Sequence, residues 1–378
     1  MLAANARLAE SAVAEHPDRP ALWRALGIAL VNAGRHSDAV ERLDFARARF
    51  PDDVDLVLAW AQAQAELGEI DASLAALLDR EDDPRAASLA FDLLGRIGRG
   101  DEAARLEPIV AAADPADRSL IEALAKRHLP SDPAAMLEAC EAALARSPGR
   151  SGAIYHKAVA LALLGRAAEA RETMGIHDFV HAAPLKTPAG FADEASFRTA
   201  LAAEILANPT LHADPAGHAT SKGLRTRTLP LPGDRATPAL LASIGEAVCA
   251  YADGLAGDHP FVAGRPDRAA LQAWALVFEG EGRQLAHRHP GGWMTGVYYV
   301  AAPEAPAHGG PRPGALRIGA PERSAGFDPP WPIVEIAPEP GLLVLFPSFV
   351  PHETISSGRD EKRISVAFDA IAVRGYAA

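Results

Sequence analysis

The residues able to do chemistry gather near the end of the chain. His287 and His289 stand on either side of Arg288. A third histidine, His352, follows the stiff segment Pro347-Ser348-Phe349-Val350-Pro351, and Arg363 opens the run Ile364-Ser365-Val366-Ala367-Phe368. On an extended segment, side chains at i and i+2 project to one side, so His287 and His289 face one ion while Arg288 points away. A third histidine from a distant strand closes one face of an octahedron. The remaining positions stay open, as in mononuclear iron sites that activate dioxygen. A histidine pair alone is a weak signal, because ordinary surface and core histidines share that spacing. The distal histidine and the arginine, in this order, make oxidative chemistry at a mononuclear iron the leading expectation.

Such a site needs strands to hold it, and the sequence from about residue 228 onward reads as strands. Leu271-Gln272-Ala273-Trp274-Ala275-Leu276-Val277-Phe278 alternates large and small side chains and is expected to stop at the turn Gly280-Glu281-Gly282. Further strands are predicted from Trp293 through Val300, at Ala315 to Ile318, Ile333 to Ile336, Leu342 to Phe346, Glu353 to Ser356 and Ile364 to Ile371, with residues 303–313 as a loop rich in proline and glycine. Six or more short strands without intervening helices imply a closed or sandwiched β-fold. A helix from about Pro238 to Leu255 precedes them. Alternation puts Tyr298 and Tyr299 on opposite faces and turns Glu353 away from the face of His352.

The first half of the chain has a different grain. Trp23, Leu26, Gly27, Leu30, Ala39, Leu43, Ala46 and Pro51 have the spacing of the 34-residue tetratricopeptide repeat, in which small residues let two antiparallel helices nest. Ala33-Gly34-Arg35 with Asp38-Ala39 recurs as Leu67-Gly68-Glu69 with Asp71-Ala72 and as Leu164-Gly165-Arg166 with Glu169-Ala170, whereas 84–147 is degenerate. Pro51, Pro84 and Pro148 fall where second helices are expected to stop. The resemblance to tetratricopeptide-repeat proteins implies a curved superhelix that takes a peptide or protein partner, or else scaffolds the enzyme. Between the halves, Asp193 or Ser196 is expected to cap a helix around Glu194 to Ala207. His177 and His181, four apart, would share one face of a helix as a metal pair but lack a third ligand.

Composition excludes several other classes. At 378 residues the chain is long enough for two or three domains, and 49% hydrophobic residues provide cores without a sign of disorder. Two cysteines, Cys140 and Cys249, make neither a disulfide framework nor a thiolate zinc cluster, so the expected compartment is the reducing cytoplasm. No segment reads as a membrane span or a leader. A formal net charge of -12, without a basic patch, argues against nucleic acid.

With these pieces assembled, the segment from about Gln272 to Ala370 resembles the iron- and 2-oxoglutarate-dependent oxygenases. It is most similar to a bacterial and phage branch marked by His-Pro-x-x-Trp-x-Ser/Thr-Gly-Val-Tyr-Tyr, here His289 to Tyr299. The resemblance implies a double-stranded β-helix (jelly-roll) barrel with flanking helices. The whole chain is then an α+β multidomain protein: 1–175 helical repeats, 176–228 a linker with entry elements, and 229–378 the oxygenase domain. It further implies Fe(II), O2 and 2-oxoglutarate, with His287, His289 and His352 as the metal ligands. His289 stands in a slot usually held by an acid. Arg363 would meet the far carboxylate of the keto acid as a planar fork, with Ser365 facing the same way and Tyr299 adding a phenolic hydrogen bond. Oxidative decarboxylation to succinate and CO2 would be coupled to hydroxylation of a protein, peptide or small molecule. Two alternatives stay open: a metal-binding cupin working without a keto acid, and a repeat-based interaction protein with an inactive barrel.

Overall fold

The computed structural model describes residues 2–373 except 115, 214–218, 228, 304–312 and 322–326, so the expected loop at 303–313 falls almost wholly outside the described residues. The chain forms two compact units, Met1–Leu124 and Ala125–Ala378.

In the first unit, helices α1 (Leu2–Glu15), α2 (Pro20–Asn32), α3 (His36–Arg49), α4 (Val54–Leu67), α5 (Ile70–Leu78), α6 (Pro84–Arg96) and α7 (Gly100–Ala113) follow one another as antiparallel hairpins, and α8 (Arg118–His128) spans the division. Close approach is built in: a Cβ on Gly27 would lie 2.5 Å from Leu43 Cδ1, so a side chain there would have to push Leu43 aside. The recurring turn has a physical reason. Gly34, Gly68, Gly98 and Gly165 take φ of +74, +87, +78 and +74°, where a side chain would clash. In three of the four turns, the residue after the glycine is an arginine that reaches forward to an acid three positions on: Arg35 to Asp38, Arg99 to Glu102 and Arg166 to Glu169. Pro51 and Pro148 follow helix ends as expected. Pro84 instead occupies the first turn of α6, where its missing N–H costs nothing, and Asp83 caps that helix.

The second unit opens with helices too. α9 (Pro133–Arg146), α10 (Ser151–Leu163) and α11 (Ala167–Met174), grouped by sequence with the repeats, cluster with the strands. After α12 (Ile176–Phe179) come β1 (His181–Pro184), α13 (Glu194–Leu206), β2 (His212–Ala213), β3 (Thr220–Arg225), α14 (Ala236–Gly254) and α15 (Pro260–Ala263). The Asp193 side chain accepts from the Ser196 N–H, and Ser196 bonds back, a capping box that starts α13 where expected. His177 and His181 fall on α12 and β1, so no shared helix face pairs them. The remaining strands are β4 (Ala269–Gln284), β5 (Met294–Ala301), β6 (Leu316–Ile318), β7 (Val334–Ile336), β8 (Leu342–Pro347), β9 (His352–Thr354) and β10 (Arg359–Ala372).

These strands build a seven-stranded sheet, β1-β8-β5-β10-β4-β3-β2, and a three-stranded sheet, β7-β6-β9. The two sheets enclose the core expected of a double-stranded β-helix: the Phe346 ring on β8 meets His352 on β9 at 4.7 Å, and Arg363 on β10 reaches Thr354 on β9. Strand β4 does not stop at Gly280. It continues to Gln284, because Gly280, at φ +55°, absorbs a slip in register that is visible against both β10 and β3. Three short strands in 176–228, too rich in alanine and polar residues to read as strands, extend the large sheet at both edges.

Candidate metal centre

The segment from β4 to β5 turns past β9, where His287 and His352 exchange N–H to C=O hydrogen bonds of 3.1 and 3.0 Å. Two residues on, the His289 N–H donates to Ser348 O at 3.0 Å, fixing the loop against the segment before β9. The turn Pro347 to Pro351, closed by Val350 N–H to Pro347 O at 3.0 Å, delivers His352 to the same point. One ring nitrogen from each of the three histidines lies within 4.8 Å of the others. His352 is buried, and His287 and His289 are half-buried.

Which nitrogens face the centre follows from the partners of the others. His287 Nδ1 lies 2.6 Å from Leu285 O, and His352 Nδ1 lies 3.1 Å from Val350 O. Carbonyls only accept, so each Nδ1 carries the proton and each Nε2 keeps a lone pair. His289 Nδ1 meets the Asp369 carboxylate, at 2.9 Å from Oδ2, so this nitrogen too is the donor. The Nε2 of His289 is buried without a hydrogen-bond partner. Burial, reinforced by the neighbouring His289, pushes the His287 pKa down to about 4, and burial holds His352 well below its ordinary value. Near neutral pH both rings therefore present lone pairs, and a neutral imidazole nitrogen is a ligand for iron.

A second buried polar group, on β10, reaches across to β9. Arg363 Nη1 donates to Gly314 O at 2.6 Å and Nη2 to Thr354 Oγ1 at 3.2 Å, with the guanidinium 4.7 Å over the Phe278 ring. Its Nε has no partner although the side chain is buried. Thr354 is two positions from His352 and so shares its face, roughly 7 Å away. Ser365 stands directly opposite Tyr299 in the pairing of β10 with β5, and both are buried. Burial drives the Tyr299 hydroxyl up to about 12, so it remains a neutral phenol. Tyr298 faces the other way, toward Phe197 on α13, and Glu353 turns out to Arg317. Trp293 packs flat on Phe261 at 4.9 Å, a structural contact.

Other contributors carry no sequence motif. Asp369 lies on β10 with the same parity as Arg363 and Ser365, and Thr295 stands opposite it. Trp274 stacks on His289 at 5.6 Å and 12°, and the Arg225 guanidinium lies over the Trp274 ring at 4.6 Å. The strand parity that singles out Ser365 would have reached Asp369 had it been followed further along β10.

Residues 272–369 match the family model described as "Putative 2OG-Fe(II) oxygenase". The chain carries a 2OG-Fe(II) oxygenase-like domain. Residues 20–63 match the tetratricopeptide repeat, so repeats precede this domain. No curated protein matches. Among solved structures, a Pseudomonas putida prolyl-4-hydroxylase is similar at 20% identity over 53% of this chain and 96% of its own, with a TM-score of 0.38. A Trichoplax adhaerens prolyl hydroxylase, solved with a hypoxia-inducible-factor peptide, is similar at 14% over 55% and 91%, TM-score 0.36. A tetratricopeptide repeat protein from Parabacteroides merdae is similar at 14% over 46% and 71%, TM-score 0.35. Among the described residues, no helix is long and apolar enough to cross a membrane. Cys140 is buried and Cys249 exposed.

Proposed function

We propose that the protein is an iron(II)- and 2-oxoglutarate-dependent dioxygenase that hydroxylates a peptide, protein or small-molecule substrate, with one oxygen atom of O2 entering the product and the other entering succinate as CO2 leaves. The observation that carries this reading is the convergence of three histidines whose Nδ1 atoms all have acceptors and which bring one ring nitrogen each within 4.8 Å of the others. His287, His289 and His352 hold the ion. Arg363, with its unpartnered Nε, takes the far carboxylate of the keto acid, assisted by Ser365 and the neutral Tyr299 phenol. Dioxygen is the oxidant, and a ferrous ion and keto acid bound here would activate it. The protein's own work is to orient these groups, keep His287 and His352 neutral and exclude water with Phe278, Phe346 and Tyr299. The repeats are the proposed seat of a peptide or protein partner.

Succinate released from 2-oxoglutarate, with and without cell extract, tests the reading. His352→Ala is expected to abolish turnover. Arg363→Ala is expected to raise KM for 2-oxoglutarate about 10- to 100-fold, the cost of losing a charge-assisted pair. Anaerobic Fe(II) with 2-oxoglutarate should give a weak visible charge-transfer band. Tight metal binding without that band points to cupin chemistry, and no metal binding at all leaves an interaction protein.

A further inference from the structure

We propose that Asp369 is a positioning residue for the metal, supplying through His289 the negative charge that the three-histidine face lacks; this inference rests on the metal-binding reading above. Three neutral imidazoles bring no charge to a divalent ion. Among the described residues the cluster of ligand atoms contains histidines alone. The acid nearest to it is one imidazole away: Asp369 Oδ1 and Oδ2 lie 2.8 and 2.9 Å from His289 Nδ1.

His287 and His352 rest on neutral backbone carbonyls, whereas His289 alone rests on a carboxylate. A carboxylate acceptor draws the Nδ1 proton, makes Nε2 the stronger donor and spreads anionic charge toward the ion. The carboxylate itself is held in place. Thr295, opposite Asp369 on β5, donates its hydroxyl to Oδ1, and Ser348 Oγ lies 3.5 Å from that hydroxyl. The loop passes so close that a Cβ on Gly292 would lie 2.5 Å from Ser348 Oγ and 3.5 Å from Asp369 Cβ. Trp274 stacked on the ring fixes His289 in its plane while Asp369 fixes it along its edge. Both side chains are mostly buried, at 12% and 13% exposure, so bulk water screens the pair only weakly.

The test is anaerobic titration with Co(II), read by its visible ligand-field bands, and with Fe(II), on the full chain. Asp369→Asn should weaken metal binding about 10- to 100-fold while the metal-free thermal transition stays in place. His289→Asp moves an acid into the first sphere, so adding Asp369→Asn to that variant should cost nothing further. Thr295→Val leaves the carboxylate but frees it, and a loss of a few-fold is expected. If the unmutated chain binds no metal, the functional reading fails. If it binds metal and Asp369→Asn binds equally well, that reading stands and this inference falls. Equal losses from Asp369→Asn in both backgrounds also overturn it, since that outcome marks Asp369 as a strut. Should Asp369→Asn fail to fold, unchanged affinity in Thr295→Val overturns the proposal.

Discussion

The pair α2–α3 and the pair α10–α11 carry the same turn, Gly34-Arg35 with Asp38 in one and Gly165-Arg166 with Glu169 in the other, yet their first helices live in different surroundings. On α2 the buried positions are Trp23, Leu26, Gly27 and Leu30, one stripe, while Ala21, Ala25 and Ile28 lie in the open. On α10 every residue from Ser151 to Leu161 except Lys157 is buried. Within the second unit α10 is covered by α9 and α11 on one side and by the loop of the histidines on the other. Ser151 Oγ donates to Gly292 O at 2.7 Å, and Arg288, between two of the histidines, lies 4.0 Å over the Tyr155 ring. One hairpin is a module facing solvent; the other has become part of the wall of the site. A repeat motif therefore specifies its turn and its nesting, and its neighbours decide what it does.

The sharpest way to break this contrast is deletion. A chain beginning at 176 keeps every strand but loses α9 to α11, and with them the cover over Gly292 and Arg288. It should lose its cooperative unfolding transition and its metal binding, as read by calorimetry and Co(II) absorption. If it keeps both, α10 is an appendage. Single substitutions come next. A Cβ on Gly149 would lie 2.7 Å from Gly264 O and 2.9 Å from Gly264 Cα, both backbone atoms that cannot swing away. Gly149→Ala should therefore cost about 2–3 kcal/mol by overpacking. Gly27→Ala meets the end of the Leu43 side chain, and alanine's better helix propensity returns about 1 kcal/mol, so its net cost should stay below about 1 kcal/mol. Equal costs at the two glycines would erase the difference between the hairpins. Ser151→Ala leaves the Gly292 carbonyl without its donor and should cost about 1–2 kcal/mol, seen as a fall in Tm of the second unit alone.

Much of this was legible in the sequence, for physical reasons that also mark where legibility ended. Histidines at i and i+2 point one way on any extended backbone, so His287 and His289 could be paired before a sheet was known, and the stiff Pro347 to Pro351 segment located His352. Tyr298 and Tyr299 separated by parity alone. Strand β4 was cut short because Gly280 and Gly282 look like a turn, while a bulge asks for the same residue. The strands β1 to β3 were missed because alanine, lysine and glycine become strand only when an existing edge offers hydrogen bonds. Strand parity along β10 reaches Asp369, but parity says only which face it shares with Ser365; that a histidine ring from a distant loop meets it there is not encoded locally. The burial of α10 was hidden likewise: Ser151, His156 and Lys157 break the apolar stripe, and the acceptor of Ser151, Gly292 O, lies far along the chain.

The smallest effect expected is the one the repeats share. Arg35 pairs with Asp38 at 2.6 Å and with Glu10 at 3.0 Å, and Arg166 with Glu169 at 2.6 Å, all on side chains open to solvent. In water such pairs gain little, because the attraction is screened and two long side chains must be held still. Arg35→Gln and Arg166→Gln should each leave the calorimetric transitions where they are, in either unit, at moderate salt. The left-handed glycine beside each arginine carries the turn instead, so Gly34→Val and Gly165→Val should both lower Tm in their own unit. A large loss from Arg166→Gln without one from Arg35→Gln would mean that α10–α11 leans on its surface charges in a way that α2–α3 does not, and the two hairpins would then differ in their turns as well as in their neighbours.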